Sequence, residues 1–415
     1  MGYGALRHRD FRVMWAGQLV SVTGSQMQLV TINWHVYTLV RPRGEAEAAL
    51  ALGLVGLVRV VPIILCSLAG GVVADAFDRK RLIVAAQLVM LVSAALLCVV
   101  TAAGLDDVWP IYVLTAVASA AQAFDNPARQ ALLPSLVPVE EFPNAVSLSF
   151  VAFQVALVSG PLVGGVVLAQ AGPSAVYAMN ALSFLAVVAA VLSLRVAGRG
   201  AGEEAGRVSL EAMGEGLRFV WRTPIMVQTM ALDFVATFFA SANALLPIFA
   251  REVLGVAERG YGMLAAAPAV GAVATGLFIA GRSRWRRPGL AVLLSVAVYG
   301  AATVVFGLSR TFWLSLLMLA LTGAADTVST VIRQTVRQLV TPDRLRGRMT
   351  SVNMIFFMGG PQLGELEAGV AAALVGAPLA VVLGGVGCLV AVGFASAKAR
   401  ELLRFRFGER PEGAS

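Results

Sequence analysis

Ionisable and polar side chains interrupt several of the long apolar stretches of this sequence, and they are the residues that could do chemistry. The set comprises Asn33, Arg59, Asp233, Asp326, Glu365 and Glu367. Because charge is costly in hydrocarbon, an ionisable group within a membrane span indicates proton transfer, ion pairing or ligand binding. Asp233 has a second interpretation, which is a structural pair with a nearby polar residue such as Gln228 or Asn243. We take these residues as candidates for proton coupling or substrate binding.

The elements that carry these residues are predicted to be membrane helices. The chain has 415 residues, of which 58% are hydrophobic and 13% charged, whereas soluble domains carry about 25% charged residues. Apolar stretches that reach the ~20 residues needed to cross a bilayer recur along the whole chain. Twelve such stretches run over 12–40, 50–77, 82–104, 109–130, 144–170, 174–197, 225–250, 259–282, 289–309, 312–336, 348–374 and 377–397. The first contains many polar residues, Asn33 among them, so it is expected to line a cavity. The predicted fold class is an all-α integral membrane protein.

The basic residues are distributed unevenly over the loops between these stretches. With a cytoplasmic N-terminus, 26 of the 32 basic residues fall on the cytoplasmic side, five on the outer side, and Arg59 within the second stretch. Such a bias sets the orientation of membrane proteins. We therefore expect a bacterial inner-membrane protein with both termini in the cytoplasm. The same bias accounts for the net charge of +8 without a nucleic-acid partner.

The longest polar interruption divides the chain into two halves of six apolar stretches each. The predicted domains are an N-terminal six-helix bundle at 1–197, a cytoplasmic linker at 198–222, a C-terminal six-helix bundle at 223–397 and a cytoplasmic tail at 398–415. The halves share residue types at a constant offset of 204. Arg129, Gln130, Pro138 and Ser147 match Arg333, Gln334, Pro342 and Ser351. Arg333 is therefore expected to be a structural residue of the inner face, although it shares a helix face with Asp326 two turns away.

The charged turn after the second stretch carries a recognisable motif. Gly71, Asp75, Arg79 and Lys80 resemble the helix 2–3 signature of the major facilitator superfamily of transporters, although Asp78 stands where that signature has glycine. The resemblance implies a parallel repeat of two six-helix bundles with the substrate bound near the midplane.

The same resemblance implies an inner gate. Asp75 is expected near the start of the eleventh stretch, around 347–350, where a helix N-terminus favours an anion. Arg79 is expected to reach Asp125 at the end of the fourth stretch, and Arg129 belongs to the same set. The alternative is that Asp75 only orients the protein in the membrane.

A glycine-rich motif lies in the fifth stretch. Gly160, Pro161, Gly164 and Gly165 resemble the antiporter signature of the superfamily, with Ala156 in place of its first glycine. Glycines four residues apart let helices approach closely, and proline removes a helix hydrogen bond. In the family this motif accompanies export, while ordinary packing of small residues is the alternative. The strings at 124–130, 341–348 and 363–369 resemble the branch that contains macrolide-efflux proteins and the enterobactin exporter.

A charge pair is predicted between two distant stretches. Arg59 and Glu365 each lie about nine residues from the outer end of their stretch, or ~13 Å deep, and Glu367 lies ~10 Å deep. In the superfamily fold, helices 2 and 11 face each other. We predict a salt bridge from Arg59 to one glutamate, preferably Glu365, closed in the inward-facing state and weakened by protonation. A permanent structural pair and a contact of Arg59 with an anionic substrate are the alternatives.

Motifs of other functional classes are missing from the sequence. It contains no G-x-x-x-x-G-K-[ST], G-x-S-x-G or H-E-x-x-H pattern, which argues against an ATPase or a hydrolase. The two histidines and three cysteines lack the spacing of metal ligands. We expect no enzyme activity, no cofactor and no metal. The predicted function is proton-coupled efflux of small amphipathic molecules by a monomer in the lipid bilayer. The first alternative is uptake of a small solute, and the second is a channel.

Overall fold

The structure is a computed structural model that describes the chain from residue 4 onward. The gaps are 77, 106, 197–217, 219, 222, 240–241, 281–286, 342–345, 399–402 and 404–415, and side chains at 67–76, 346–359 and 397–398 are also not described. Most of the predicted linker and tail, and the surroundings of Gly71 and Asp75, therefore lie outside the described residues. So does the predicted contact between Asp75 and 347–350.

Helices cover the predicted apolar stretches. Their bounds are α1 Arg9–Val40, α2 Glu45–Ala76, α3 Arg79–Ala102, α4 Trp109–Leu132, α5 and α6 within Phe142–Ser193, α7 Pro224–Phe239, α8 Glu258–Ala280, α9 Pro288–Leu308, α10 Phe312–Val340, α11 Arg346–Val375 and α12 Ala377–Lys398. The predicted stretch 225–250 differs from a single regular helix, since α7 ends at Phe239 and short helical turns run from Asn243 to Val253.

Local residue types explain where these helices begin and end. Gly172 has a φ of 75°, which favours glycine, and Pro173 follows at the first position of the next helix, where its missing N–H costs nothing. Together they separate α5 (142–171) from α6 (173–193). Asp78 caps α3, because its Oδ1 accepts a hydrogen bond from the backbone N–H of Arg81 at 3.0 Å. This cap explains the aspartate at the place of the signature's glycine.

Eight helical segments of the described chain are long and apolar enough to cross a membrane. One of them runs over Val139–Ser193 and includes both α5 and α6. Large apolar side chains on these segments are exposed, among them Val92, Leu182, Leu317 and Val390. A water-soluble protein buries most such side chains, so these surfaces suit lipid. The number of twelve spans stays a prediction.

The chain forms two compact units. Unit 1 consists of Met1–Pro42, Val58–Val208 and Ala257–Ala266, and unit 2 of Arg43–Leu57, Ser209–Val256 and Ala267–Ser415. The start of α2 thus belongs to unit 2 and the start of α8 to unit 1. The predicted bundles have other boundaries, 1–197 and 223–397, and they stay predictions.

Each unit has its own apolar core. In unit 1, side chains of α1, α3, α4 and α6 pack together, among them Phe11, Ile83, Leu132 and Val187. In unit 2, the core joins α7, α9, α10 and α12, with Leu232, Val292, Ile332 and Val392. The second core lies next in sequence to Asp233 and Arg333, so it holds their helices in register.

Candidate functional site

A buried ionic cluster joins α7 and α10 in unit 2. Nη2 of Arg333 lies 2.7 Å from Oδ1 of Asp233 and 3.7 Å from Oδ1 of Asp326. The side chains of Arg333 and Asp233 are 2% and 9% exposed, whereas that of Asp326 is 48% exposed. Arg337, one turn further along α10, is also buried. The cluster therefore has a tightly held pair and one carboxylate that is open.

One face of α10 presents this cluster. Asp326, Thr330, Arg333 and Arg337 are separated by four, three and four residues, so they lie above one another on the helix. Arg333 donates a hydrogen bond to Oγ1 of Thr330 at 3.0 Å, and Oγ1 of Thr330 donates to Oδ1 of Asp326 at 3.5 Å. Thr330 thus links the guanidinium to the open carboxylate.

The structure pairs two of these residues with each other. Asp233 was expected to pair with Gln228 or Asn243 if its role were structural, but its partner is Arg333. Arg333 is expected to be a structural residue of the inner face; it is the buried partner of Asp233 in the ionic cluster, and its role stays a prediction. The two residues meet because α7 packs on α10, and the apolar core between these helices brings residues 100 positions apart into contact.

A cavity of about 190 Å³ lies beside the open carboxylate, within unit 2. Its wall includes Asn243, Tyr299 and Phe306 together with Thr322 and Asp326 of α10. Among the described residues that line this cavity, Asp326 is the charged one. Arg333 and Asp233 are buried away from the cavity wall. The wall therefore carries the negative charge of Asp326.

The inner-gate candidates of unit 1 form a second ion pair. Nε of Arg129 and Oδ2 of Asp125, one turn apart on α4, are separated by 2.5 Å. Arg79 donates a hydrogen bond to the carbonyl oxygen of Ala131 at 2.9 Å. The predicted contact between Arg79 and Asp125 is therefore not the one found. Ala131 lies in the last turn of α4, where unpaired carbonyl groups attract a cation.

Lys80 supports the end of α6. Its Nζ donates hydrogen bonds to the carbonyl oxygens of Leu194 at 2.9 Å and Val196 at 3.3 Å. Asp10 of α1 accepts a hydrogen bond from the backbone N–H of Arg195 at 2.9 Å. These contacts fix the chain where it leaves α6. The gate roles of Gly71, Asp75, Arg79 and Lys80 stay predictions.

The glycine-rich motif of α5 packs tightly inside unit 1. Gly160 and Gly164 lie against the side chain and backbone of α1. A Cβ atom on Gly165 would lie 2.9 Å from Cα of Gly262 in α8, and one on Gly262 would lie 2.5 Å from the carbonyl oxygen of Pro161. No side chain fits at these contacts without a shift of backbone. The motif therefore serves close helix packing, whatever further role it has.

Glu365 lies where α11 meets the start of α2 in unit 2. A Cβ atom on Gly56 would lie 2.8 Å from Oε2 of Glu365, and one on Gly53 would lie 3.1 Å from Cα of Gly369. Glycines on both helices allow this approach. The prediction that helices 2 and 11 face each other agrees with these contacts at the start of α2.

The remaining candidates are half-buried. Asn33 lies on α1, Arg59 on α2 and Glu367 on α11. Arg59 belongs to unit 1, while both glutamates belong to unit 2. The salt bridge from Arg59 to Glu365 or Glu367 stays a prediction, as do the roles of Asn33 and Glu367 in proton coupling or substrate binding.

Sequence reasoning missed a polar network between α1 and α6. Nδ2 of Asn180 donates to Oε1 of Gln28 at 2.7 Å, and Oγ of Ser183 donates to Oδ1 of Asn180 at 3.0 Å. Nδ1 of His35 and the hydroxyl of Tyr177 are 3.1 Å apart. The polar residues of α1 were expected to line a cavity, but these ones bind α6. The signal in the sequence was Asn180, a lone amide in an apolar stretch.

Comparison with known proteins finds relatives along most of the chain. Residues 1–403 match the family described as transmembrane secretion effector. The chain is 26% identical over 361 residues to the multidrug efflux pump Tap of Mycolicibacterium fortuitum, which covers 85% of this chain and 86% of that protein. It is 25% identical over 349 residues to the enterobactin exporter EntS of Shigella boydii, covering 83% and 81%.

Solved transporter structures share the fold. A bacterial homologue of the human lysosomal transporter Spinster, inward-facing and unoccupied, superposes with a TM-score of 0.74 at 16% identity, covering 96% of this chain and 99% of that one. The nucleoside transporter NupG gives a TM-score of 0.69 at 12% identity, covering 96% and 100%. Identities this low show the fold alone. The match over residues 1–403 shows the family: the chain belongs to the transmembrane secretion effectors of the major facilitator superfamily and is a multi-pass membrane transporter.

Proposed function

We propose that this transporter is a proton-coupled exporter of small amphipathic molecules such as drugs or siderophores. The observation that carries the proposal is the cluster of the buried Arg333 and Asp233 with Asp326, which lines a cavity. Removing one partner of a buried ion pair is strongly unfavourable. Protonation of one carboxylate therefore changes the charge balance of the cluster that joins α7 and α10, which gives the proton gradient a point at which to act.

Two observations support export. The relatives are a multidrug efflux pump and an enterobactin exporter. The tightly packed motif from Gly160 to Gly165 stands where the superfamily has its antiporter signature. We place the protein in the bacterial cytoplasmic membrane as a monomer with twelve spans, and with both termini in the cytoplasm.

Transport in inverted membrane vesicles tests the proposal. Vesicles energised to an acidic interior should accumulate substrates from a panel of amphipathic drugs and a catecholate siderophore, and a protonophore should abolish the accumulation. Asp233→Asn and Asp326→Asn should lose gradient-driven accumulation, because each removes a carboxylate of the cluster. Asp107→Asn is the matched control, since Asp107 is exposed in the loop before α4.

The outcomes separate the alternatives. Accumulation that persists at full rate after the proton gradient has collapsed would contradict proton coupling. Gradient-driven loss of a preloaded solute from the same vesicles would identify an uptake carrier. Flux in both directions that follows the solute gradient alone would identify a channel.

A further inference from the structure

We infer that the cavity beside Asp326 binds the cationic head group of an amphipathic substrate, and that this cation and the proton compete for the Asp326 carboxylate. The inference rests on the proposed function and names the substrate class for it. It separates cationic amphiphiles from anionic ones, a distinction that the names of the relatives leave open.

The charges of the cluster are arranged with the negative one toward the cavity. Arg333 is 2% exposed and lies 1 Å closer to Asp233 than to Asp326, at 2.7 against 3.7 Å. Arg333 and Asp233 do not appear among the described residues of the cavity wall, whereas Asp326 does. A ligand in the cavity therefore meets a half-exposed carboxylate and is separated from the guanidinium. This arrangement attracts a cation and disfavours an anion.

The rest of the wall suits an organic cation. Tyr299 and Phe306 both belong to the wall. Phe306 is fully buried and stacks on Phe249 with ring centroids 4.5 Å apart, so Tyr299 is the ring that can face a ligand. Aromatic faces attract ammonium groups. Asn243 and Thr322 supply neutral polar atoms. A volume of about 190 Å³ accommodates an ammonium head group but not a whole drug, so the apolar remainder of the substrate lies outside this cavity.

Competition follows from the groups that face Asp326. They are Arg333 and Thr330 on α10, Asp233 on α7 and Tyr299 on α9. Arg337 lies further along α10, where it interacts with Asp233 and Arg333 and completes the cluster. The two arginines balance the two aspartates, so the cluster is neutral when both carboxylates are ionised. Binding of a cation to a protonated Asp326 would leave two excess positive charges. Release of the Asp326 proton as the cation binds conserves the cluster's charge and exchanges one proton for one cation.

The internal repeat has the Asp326 carboxylate in one half only. At the offset of 204 residues, Gln122 corresponds to Asp326. Ser329 corresponds to Asp125, whose carboxylate is paired with Arg129 on its own helix. The first half thus has no counterpart of the Asp326 carboxylate at the matching position, which assigns the exchange to the second half.

Binding to the purified transporter tests the inference without a proton gradient. The probes are 4-phenylbutyltrimethylammonium and 4-phenylbutanesulfonate, which share a tail and differ in head-group charge. Wild type should bind the cation at least about tenfold more tightly than the anion, and Asp326→Asn should lose about tenfold in affinity for the cation. Lowering the pH should weaken cation binding, and binding should release protons into a weakly buffered solution.

Matched variants keep the test decisive. Asp326→Glu retains the carboxylate and should retain cation binding and proton release, and Asp107→Asn should behave as wild type. Unchanged cation affinity in Asp326→Asn, or preference of wild type for the sulfonate, would overturn the inference. Either result can occur while vesicle transport remains proton-driven, in which case the proposed function stands and the substrate class falls. Transport without proton coupling would instead remove the proposed function itself.

Discussion

At the scale of single residues, burial distinguishes Asp233 from Asp326, two aspartates whose surroundings the sequence does not reveal. Asp233 is 9% exposed and 2.7 Å from Arg333, so it is the closer counter-ion of that guanidinium. Asp326 is 48% exposed and 3.7 Å away, so its charge can change without stripping Arg333 of its partner. Under the proposed function, Asp233 is therefore the structural carboxylate and Asp326 the one that exchanges its proton.

This division predicts unequal effects on stability. Asp233→Asn leaves the buried Arg333 without its close partner and should lower the free energy of unfolding by about 3 kcal/mol or more. Asp326→Asn removes a partly exposed charge and should cost less than about 1 kcal/mol. Thermal unfolding of the purified variants measures both, in a background without Cys66 and Cys98 so that a thiol dye reports on the buried Cys388. Equal destabilisation by the two substitutions would contradict the assignment.

Spacing along the chain predicts which residues share a helix face. It does not predict which residues of two different helices come into contact. The seven-residue interval between Asp326 and Arg333 correctly places them together on α10. The partnership of Arg333 with Asp233 depends on how α7 packs, which no interval encodes. Arg79 shows the same limit, because a carbonyl oxygen at the end of α4 competes with Asp125 for its guanidinium.

At the scale of elements, glycines set the distance between helices. The motif of α5 meets α8 at Gly165 and Gly262, where a Cβ on either residue would contact backbone atoms of the other helix within 3 Å. Such close contacts stabilise a membrane protein through van der Waals attraction. They matter because helices inside a bilayer gain little from the hydrophobic effect. The resemblance to an antiporter signature thus has a packing basis that is visible in this chain.

The α5–α8 contact predicts a position-specific effect within one helix. Gly262→Leu should destabilise the protein by roughly 1–3 kcal/mol because the added side chain forces backbone apart, and it should reduce transport. Gly276→Leu is the matched control on α8, since nothing lies within 4 Å of a Cβ at that position. Thermal unfolding and vesicle transport of the two variants test this. Similar behaviour of both would show that the contact is unimportant.

Helix positions were the most predictable part of the fold, because long apolar runs leave few alternatives in a membrane. The boundary between α5 and α6 follows from Gly172 and Pro173, and the turn before α3 from Asp78. The region after Phe239 was less predictable. There the chain remains apolar while its helix gives way to short turns that begin at Asn243, a cavity-lining residue.

At the scale of the whole molecule, the distribution of basic residues predicts how the chain is oriented in the membrane. They concentrate in the loops that would be cytoplasmic, 26 against five, and two of them have a structural role there. Lys80 and Arg79 bind carbonyl oxygens at the ends of α6 and α4. A basic residue at a helix C-terminus stabilises the helix and also anchors it at an anionic membrane surface.

The orientation can be tested with single cysteines in a variant that lacks the native ones. Asp107→Cys and Arg310→Cys place a thiol in exposed loops on the predicted outer side, and Arg81→Cys and Arg195→Cys place one on the predicted cytoplasmic side. A membrane-impermeant maleimide should label the first pair in intact cells, because those thiols face the outside. It should label the second pair only after the cells are permeabilised, since the positive-inside bias keeps those positions in the cytoplasm. The reverse pattern would invert the topology and, with it, the meaning of transport direction in inverted vesicles. Labelling of all four positions in intact cells would refute the predicted arrangement of the spans.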